Sequence, residues 1–240
     1  MGAQWKQAGR VANANKKGQI VGKLAKEIAI SVKLGGVNPD GNFRLRAALE
    51  AARKNSVPRD TIERAIKKGS GADASAAAYE MITYEGFAPH KVPVIVECLT
   101  DNRNRTASDV RMVFRKGQLG SQGSVAYMFD RMGVVEATHT DKTLDTESVA
   151  IEAGAQNVEP LDKADVPEGQ IGARFICEAT DLGSVSKFLA DAKWVVSTSE
   201  LSYIAKNNVE LSADQQKEVA DFLNDLDDND DVHRIYTAIK

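Results

Sequence analysis

The sequence predicts an α+β protein of three domains: an N-terminal helical bundle, an α+β middle domain, and a ferredoxin-like domain inserted into the middle domain. Three observations lead to this prediction. Apolar side chains recur at helical spacing in the first 75 residues, and strand-like patterns begin only after them. Residues 132–204 follow the order strand, helix, strand, strand, helix, strand. A last strand-like segment, residues 232–239, has no neighbouring strand in sequence and needs a sheet to join.

The first predicted domain, residues 1–75, contains three short helices. Breaker-rich residues 35–41 end the first helix, and the second is expected over residues 41–55. The third begins at Pro58, because proline suits a first helical turn, and Gly69 stops it. The apolar stripe of the first helix consists of Ile20, Val21, Leu24, Ile28 and Val32.

The middle domain is predicted to contain residues 76–131 and residues 205–240. A linker is expected at residues 69–78, which are small and nearly uncharged. β-Branched and apolar alternation distinguishes the strands that follow from the helices. The predicted elements are strands at 79–86, 92–99 and 124–130, helices at 103–116 and 213–226, and the strand at 232–239.

The third predicted domain, residues 132–204, has the split βαβ pattern of a ferredoxin-like unit. Because the final strand must return to the sheet of the middle domain, this unit is expected to be an insertion. Its predicted elements are strands at 133–137, 157–161, 171–178 and 194–201, and helices at 144–154 and 182–192.

Charge is divided unevenly along the chain. The first 70 residues carry 15 Lys/Arg and 5 Asp/Glu, a net charge of +10, whereas the other 170 residues carry 16 and 29. Such a division indicates that the basic part meets a polyanion, of which nucleic acid is the commonest. The alternative is a solvated basic helical surface with no partner. The candidate nucleic-acid-binding residues are Trp5, Lys16, Lys17, Lys23, Lys26, Arg44, Arg46, Arg53, Arg64, Lys67 and Lys68.

A polar cluster opens the helix predicted at 103–116. Asparagine and threonine can cap this helix, whereas two arginines in its first turn oppose the helix dipole and require an anion. That anion is either external or a carboxylate of the same chain; the external one is slightly favoured, because the cluster has more donors than one carboxylate can satisfy. The cluster is Asn102, Arg103, Asn104, Arg105 and Thr106. The internal alternatives are Glu97, Asp101 and residues 225–231.

No catalytic constellation is evident in the sequence. It lacks a phosphate-binding GxxxxGK[ST] loop, a GxSxG nucleophile elbow and zinc-ligand spacing among its three histidines. We therefore expect no enzymatic activity, no cofactor, no bound metal and no small-molecule substrate. Cys98 and Cys177 lie in apolar runs and are expected to be buried thiols in a reducing compartment.

Two further segments have simple expected roles. The acidic run at residues 225–231 lacks EF-hand spacing and is expected to be a solvated turn. Gly117, Gly120 and Gly123 either form a plain loop, which we favour, or line a small anion nest.

No apolar stretch approaches the length of a transmembrane helix, so we expect a cytoplasmic protein without a membrane partner.

Several motifs, in order along the whole chain, resemble those of the YebC/PmpR family. They are residues 42–69, 97–106 (ECLTDNRNRT), 123–134 (GSVAYMFDRMGV) and 233–236 (HRIY). The opening residues depart from the family pattern, because Trp5 is kept while the usual histidine is missing. The resemblance implies the same three-domain architecture, and the family includes probable transcriptional regulators and a mitochondrial translational activator of cytochrome oxidase.

The resemblance implies a nucleic-acid-binding regulator of gene expression, with DNA or ribosomal RNA as the partner. The first expectation is a DNA-binding transcriptional regulatory protein. The alternative is a ribosome-associated translational activator, or a factor that relieves stalling on proline-rich stretches.

Overall fold

The computed structural model describes residues 14–72 and 78–239. It confirms the α+β class, because seven α-helices accompany two antiparallel four-stranded sheets in these residues. The helices are α1 Ala14–Gly35, α2 Phe43–Lys54, α3 Arg59–Gly69, α4 Arg103–Val113, α5 Thr146–Ala153, α6 Leu182–Asp191 and α7 Ala213–Asp227. The strands are β1 Glu80–Ala88, β2 Val92–Thr100, β3 Gln118–Leu119, β4 Phe129–His139, β5 Asn157–Pro160, β6 Ile171–Glu178, β7 Val195–Ala205 and β8 Val232–Thr237.

The chain divides into two compact units. The first takes its described parts from residues 1–33, 57–130 and 203–240, and the second consists of residues 34–56 and 131–202. Helix α2 thus groups with the second unit, although the sequence analysis assigns it to a domain of residues 1–75. The predicted domain boundaries stay predictions.

The sheet of the first unit has the strand order β3-β1-β2-β8. Its C-terminal strand β8 pairs antiparallel with β2, so the last strand does join a sheet formed much earlier in the chain. All nine residues of β2 are buried, because both faces of this strand are covered. Helices α4 and α7 pack on one face, where the rings of Phe114 and Phe222 meet edge to face at 5.2 Å.

The sheet of the second unit has the order β5-β6-β4-β7. This order places the first and third strands of the βαββαβ pattern at the centre, as in a ferredoxin-like unit. Helices α5 and α6 cover one face, with Phe175 and Trp194 packed edge to face at 5.3 Å. Cys177 is also buried in this core, and burial raises the pKa of its thiol to about 11.

Helices α1 and α3 approach closely in the first unit. A Cβ atom on Gly69, the last residue of α3, would lie 2.2 Å from the carbonyl oxygen of Ala29 in α1. Glycine is therefore required there by the backbone contact, and it also ends α3 where the sequence predicts.

The strand predicted at 124–130 is wrong for its first five residues, because β4 begins only at Phe129. The buried Glu85 carboxylate accepts the backbone N–H groups of Gly123, Val125 and Ala126 at 2.7–2.9 Å. These donors are therefore directed at a carboxylate rather than at a neighbouring strand. The glycine-containing loop forms an anion nest, the less favoured alternative, and its anion is internal.

Candidate functional site

Helix α3 presents exposed cations in the first unit. Arg64 and Lys67 are exposed, and the Nε atom of Arg64 donates to the carbonyl oxygen of Asp60 at 3.1 Å. Lys68 is more enclosed: its Nζ atom lies 3.5 Å from the ring centroid of Tyr79 and 3.7 Å from a carboxylate oxygen of Asp101. Arg59 is also exposed but pairs with Glu63 at 2.7 Å, so Arg64 and Lys67 are the exposed cations of α3 without a carboxylate partner among the described residues.

Helix α2 presents basic side chains in the second unit. Asn42 caps this helix by accepting the backbone N–H of Leu45 at 3.0 Å. Arg46 stabilises the preceding loop, because its guanidinium donates to the carbonyl oxygens of Pro39 and Asp40 at 3.3 and 3.1 Å. Arg53, in the last turn, is exposed.

The remaining candidates differ in exposure. Arg44 is partly buried and Lys17 is exposed. Trp5 and the side chain of Lys16 lie outside the described residues. The assignment of the whole candidate set to nucleic acid stays a prediction.

Lys23 and Lys26 contact an acidic turn of their own chain, defined here as residues 227–231. The Nζ atom of Lys23 lies 2.6 Å from the carbonyl oxygen and 3.0 Å from a carboxylate oxygen of Asp227. The Nζ atom of Lys26 lies 2.7 Å from a carboxylate oxygen of Asp231. The ammonium groups of Lys23 and Lys26 are thus held within the first unit.

Asp231 is the most enclosed carboxylate of this turn, with 2% of its surface exposed. The Nε and Nη2 atoms of Arg105 donate to it at 2.8–3.1 Å. The hydroxyl oxygens of Thr100 and Thr106 lie 3.2 and 2.9 Å from the same carboxylate. The expectation of a solvated acidic turn is therefore wrong for Asp231.

The pKa of Asp231 results from two opposing effects. Burial raises it, but hydrogen bonds from Lys26, Arg105 and Thr106 outweigh burial and leave the pKa below its usual range. The same contact with Asp231 raises the pKa of Arg105. At neutral pH, Asp231 is thus a buried carboxylate compensated by two cations.

The structure separates the members of the 102–106 cluster. Asn102 caps α4 by accepting the backbone N–H of Arg105 at 3.1 Å, whereas Asn104 is exposed. Arg103 pairs with Glu80 at 3.1 Å on the surface. The preference for an external anion is wrong for Arg105, which pairs with two of the internal alternatives: Asp231 of the acidic run at 2.8 Å and Asp101 at 3.3 Å.

An open cleft of about 920 Å³ lies beside these contacts in the first unit. Its lining includes Gly18 and Gly22 of α1, residues at the start of α4 and residues of the acidic turn. Lys23, Lys26 and Arg105 bring positive charge to its wall, whereas Asp109, Asp228 and Asp230 bring negative charge.

Sequence reasoning missed a buried polar contact in the first unit. Glu27 of α1 lies 2.7 Å from the Nε2 atom of His233 and 3.7 Å from Arg234 in β8. The available signal was an acid on a lysine-rich helix together with two basic residues after the acidic run.

No group of three or more His, Cys, Asp or Glu residues in the described ranges could hold a metal ion.

The described helices include none that is long and apolar enough to cross a membrane.

The architecture defines an α+β protein with a basic N-terminal region and a ferredoxin-like sheet. The family model described as TACO1/YebC protein N-terminal domain matches residues 2–72. The model described as TACO1/YebC second and third domain matches residues 79–239. The chain belongs to the TACO1/YebC family.

Relatives and a solved structure match over the full length. A probable transcriptional regulatory protein of Bdellovibrio bacteriovorus is 50% identical over 100% of both chains. One from Pseudomonas syringae pv. tomato is 48% identical over 100% of this chain and 99% of the other. The crystal structure of a conserved hypothetical protein from Aquifex aeolicus has a TM-score of 0.81 at 34% identity, covering 99% of this chain and 96% of that one.

Proposed function

We propose that this protein is a nucleic-acid-binding regulator of gene expression, and specifically a DNA-binding transcriptional regulatory protein of the cytoplasm. The observation that carries the proposal is the set of exposed cations Arg53, Arg64 and Lys67. Among the residues that the structure describes, these three side chains have no carboxylate partner. Exposed, uncompensated cations in a region of net charge +10 suit phosphate binding. The names of the relatives support a role in transcription.

The exposed cations favour phosphate contacts over base reading. Lysine and arginine on either helix, α2 or α3, can contact phosphates, whereas base discrimination uses residues such as asparagine, glutamine and arginine placed against base edges. We therefore infer weak discrimination among DNA sequences.

We also infer that the protein acts by binding and is not an enzyme. The sequence offers no nucleophile–base pair and no cofactor motif. Burial raises the pKa of the Cys98 thiol to about 12, so this cysteine is unsuited to nucleophilic chemistry at neutral pH.

Crosslinking the bound nucleic acid in cells and sequencing it tests the proposal. Recovery of chromosomal DNA supports a transcriptional regulator, and the affinity for duplex DNA should then fall steeply with salt. With about six phosphate contacts, the slope of log K against log[salt] is expected near −5. A flat salt dependence contradicts phosphate-dominated binding.

The second candidate function is assistance to translation on the ribosome. It is favoured by the same absence of an evident base-reading set on the described parts of α2 and α3. Recovery of ribosomal RNA in the crosslinking experiment, with co-sedimentation of the protein with ribosomes, supports it and contradicts the transcriptional assignment.

A further inference from the structure

One face of α1 makes polar contacts with the acidic turn from three residues on neighbouring helical turns. Gln19, Lys23 and Lys26 are spaced four and three residues apart, so they share one face of the helix. The Nε2 atom of Gln19 donates to the carbonyl oxygen of Asp228 at 3.1 Å. Lys26 adds a contact to the carbonyl oxygen of Asp230 at 2.8 Å, beyond the lysine–carboxylate pairs described above.

The order of charges along α1 matches the order along its partner segment. Lys23 and Lys26 meet the acidic turn, whereas Glu27, the next residue, meets His233 and Arg234. Shifting the helix along this segment brings like charges together. The contact therefore specifies one position for α1.

The part of α1 before residue 27 contacts the rest of the first unit without burying any of its side chains fully. None of residues 17–26 is buried, and Ile20 is 42% exposed. Gly18 and Gly22 lower the helix propensity here, and a Cβ atom at either position meets no atom within 4 Å. Close packing against a neighbour therefore does not explain why either position is occupied by glycine. The Lys23–Asp227 pair is partly exposed, and such pairs weaken with salt, whereas the Lys26–Asp231 pair is more enclosed.

We propose that the acidic turn acts as an internal substitute for nucleic-acid phosphate, occupying Lys23 and Lys26 until nucleic acid displaces it. This inference rests on the proposed function. The turn offers each ammonium group a carboxylate oxygen and a carbonyl oxygen, the type of anionic oxygen contact that a phosphate offers. Phosphate and the turn therefore compete for the same two lysines. Release of residues 17–26 from the turn is the conformational change that accompanies binding.

The triple variant D227N/D228N/D230N tests the proposal by removing the carboxylate that Lys23 contacts and two further negative charges of the turn. It spares Asp231, so the contacts of that carboxylate with Lys26, Arg105 and both threonines remain, as do the contacts made by the backbone carbonyls. The control variant D191N/D214N/D221N removes three exposed carboxylates elsewhere and changes the net charge equally. Amide hydrogen exchange of residues 17–26 in the free protein reports release from the turn. The affinity for a mixed-sequence DNA duplex, at one salt concentration, reports competition.

The test variant should exchange faster than wild type in residues 17–26, whereas the control should not. It should also bind the duplex about fivefold or more tightly than the control, at the lower end of typical coupling between sites. Unchanged exchange overturns the proposed release, and an affinity equal to that of the control overturns the competition. If wild type binds neither the duplex nor ribosomal RNA, the proposed function fails, and this inference fails with it.

Discussion

Asp231 shows how a single buried carboxylate organises the first unit. Removing a carboxylate from water is costly unless cations and hydrogen-bond donors replace the water. Here Arg105, Lys26, Thr100 and Thr106 supply them from α4, α1 and the end of β2. Asp231, one residue before β8, therefore contacts three elements that all lie far earlier in the chain.

Removing the Arg105 side chain should destabilise the protein, whereas removing that of Arg103 should not. Arg105→Ala leaves Asp231 buried with Lys26 as its remaining cation, and we expect a loss of about 2–3 kcal/mol in the free energy of unfolding. Arg103→Ala breaks an exposed pair with Glu80 and should change stability by less than about 0.5 kcal/mol. Urea denaturation of both variants decides; equal effects contradict the internal role of Arg105.

Asp231 should also contribute to acid sensitivity. Because its pKa is lower in the folded protein than in the unfolded chain, its charge stabilises the fold above about pH 4. That contribution is lost as the pH falls through the lowered folded-state pKa. Unfolding free energies measured from pH 7 to pH 2 should show Asp231→Asn less stable than wild type at pH 7, with the difference shrinking in acid. A difference independent of pH contradicts this account.

At the residue scale, the sequence predicts burial better than pairing. Burial of Cys98 and Cys177 follows from their apolar neighbours, and the structure confirms it. The more enclosed partner of Arg105, Asp231, lies 126 residues away, and several acidic segments could have supplied it. Such a pair depends on how β8 aligns with β2, which local patterns do not determine.

At the element scale, the helices follow from spacing, caps and breakers, so their positions agree with the sequence within a few residues. Strand β6 spans the predicted residues 171–178. The exceptions are strand β3, which the sequence does not predict, and the segment before Phe129, whose apolar character resembles a strand. Its backbone donors instead bind Glu85, a residue about 40 positions earlier, and no local pattern reveals that contact.

Two glycine substitutions should have opposite effects on the helices of the first unit. Gly69→Ala places a Cβ atom against the Ala29 carbonyl and should destabilise the protein by about 1–3 kcal/mol. Gly18→Ala meets open space within α1 and should stabilise the protein by about 0.5–1 kcal/mol. Thermal unfolding measures both; a neutral Gly69→Ala contradicts the close approach of α3 to α1.

At the scale of the whole molecule, the charge division seen in the sequence has two consequences. Part of the positive charge of the first 70 residues is neutralised within the first unit, where Lys23 and Lys26 meet the acidic turn. Other cations, among them Arg53, Arg64 and Lys67, are exposed. Net charge alone could not separate these groups, because the separation depends on tertiary contacts.

Charge reversal of the exposed cations tests the central claim most directly. R64E/K67E is compared with K142E/K187E, which reverses two exposed lysines elsewhere with the same change in net charge. Affinities for a DNA duplex and for ribosomal RNA are measured over a range of salt concentrations, with thermal unfolding as a check on folding. R64E/K67E should lose at least about tenfold in affinity and show a shallower salt slope by about two, while the control stays near wild type. Equal affinities for the two folded variants would contradict nucleic-acid binding through α3.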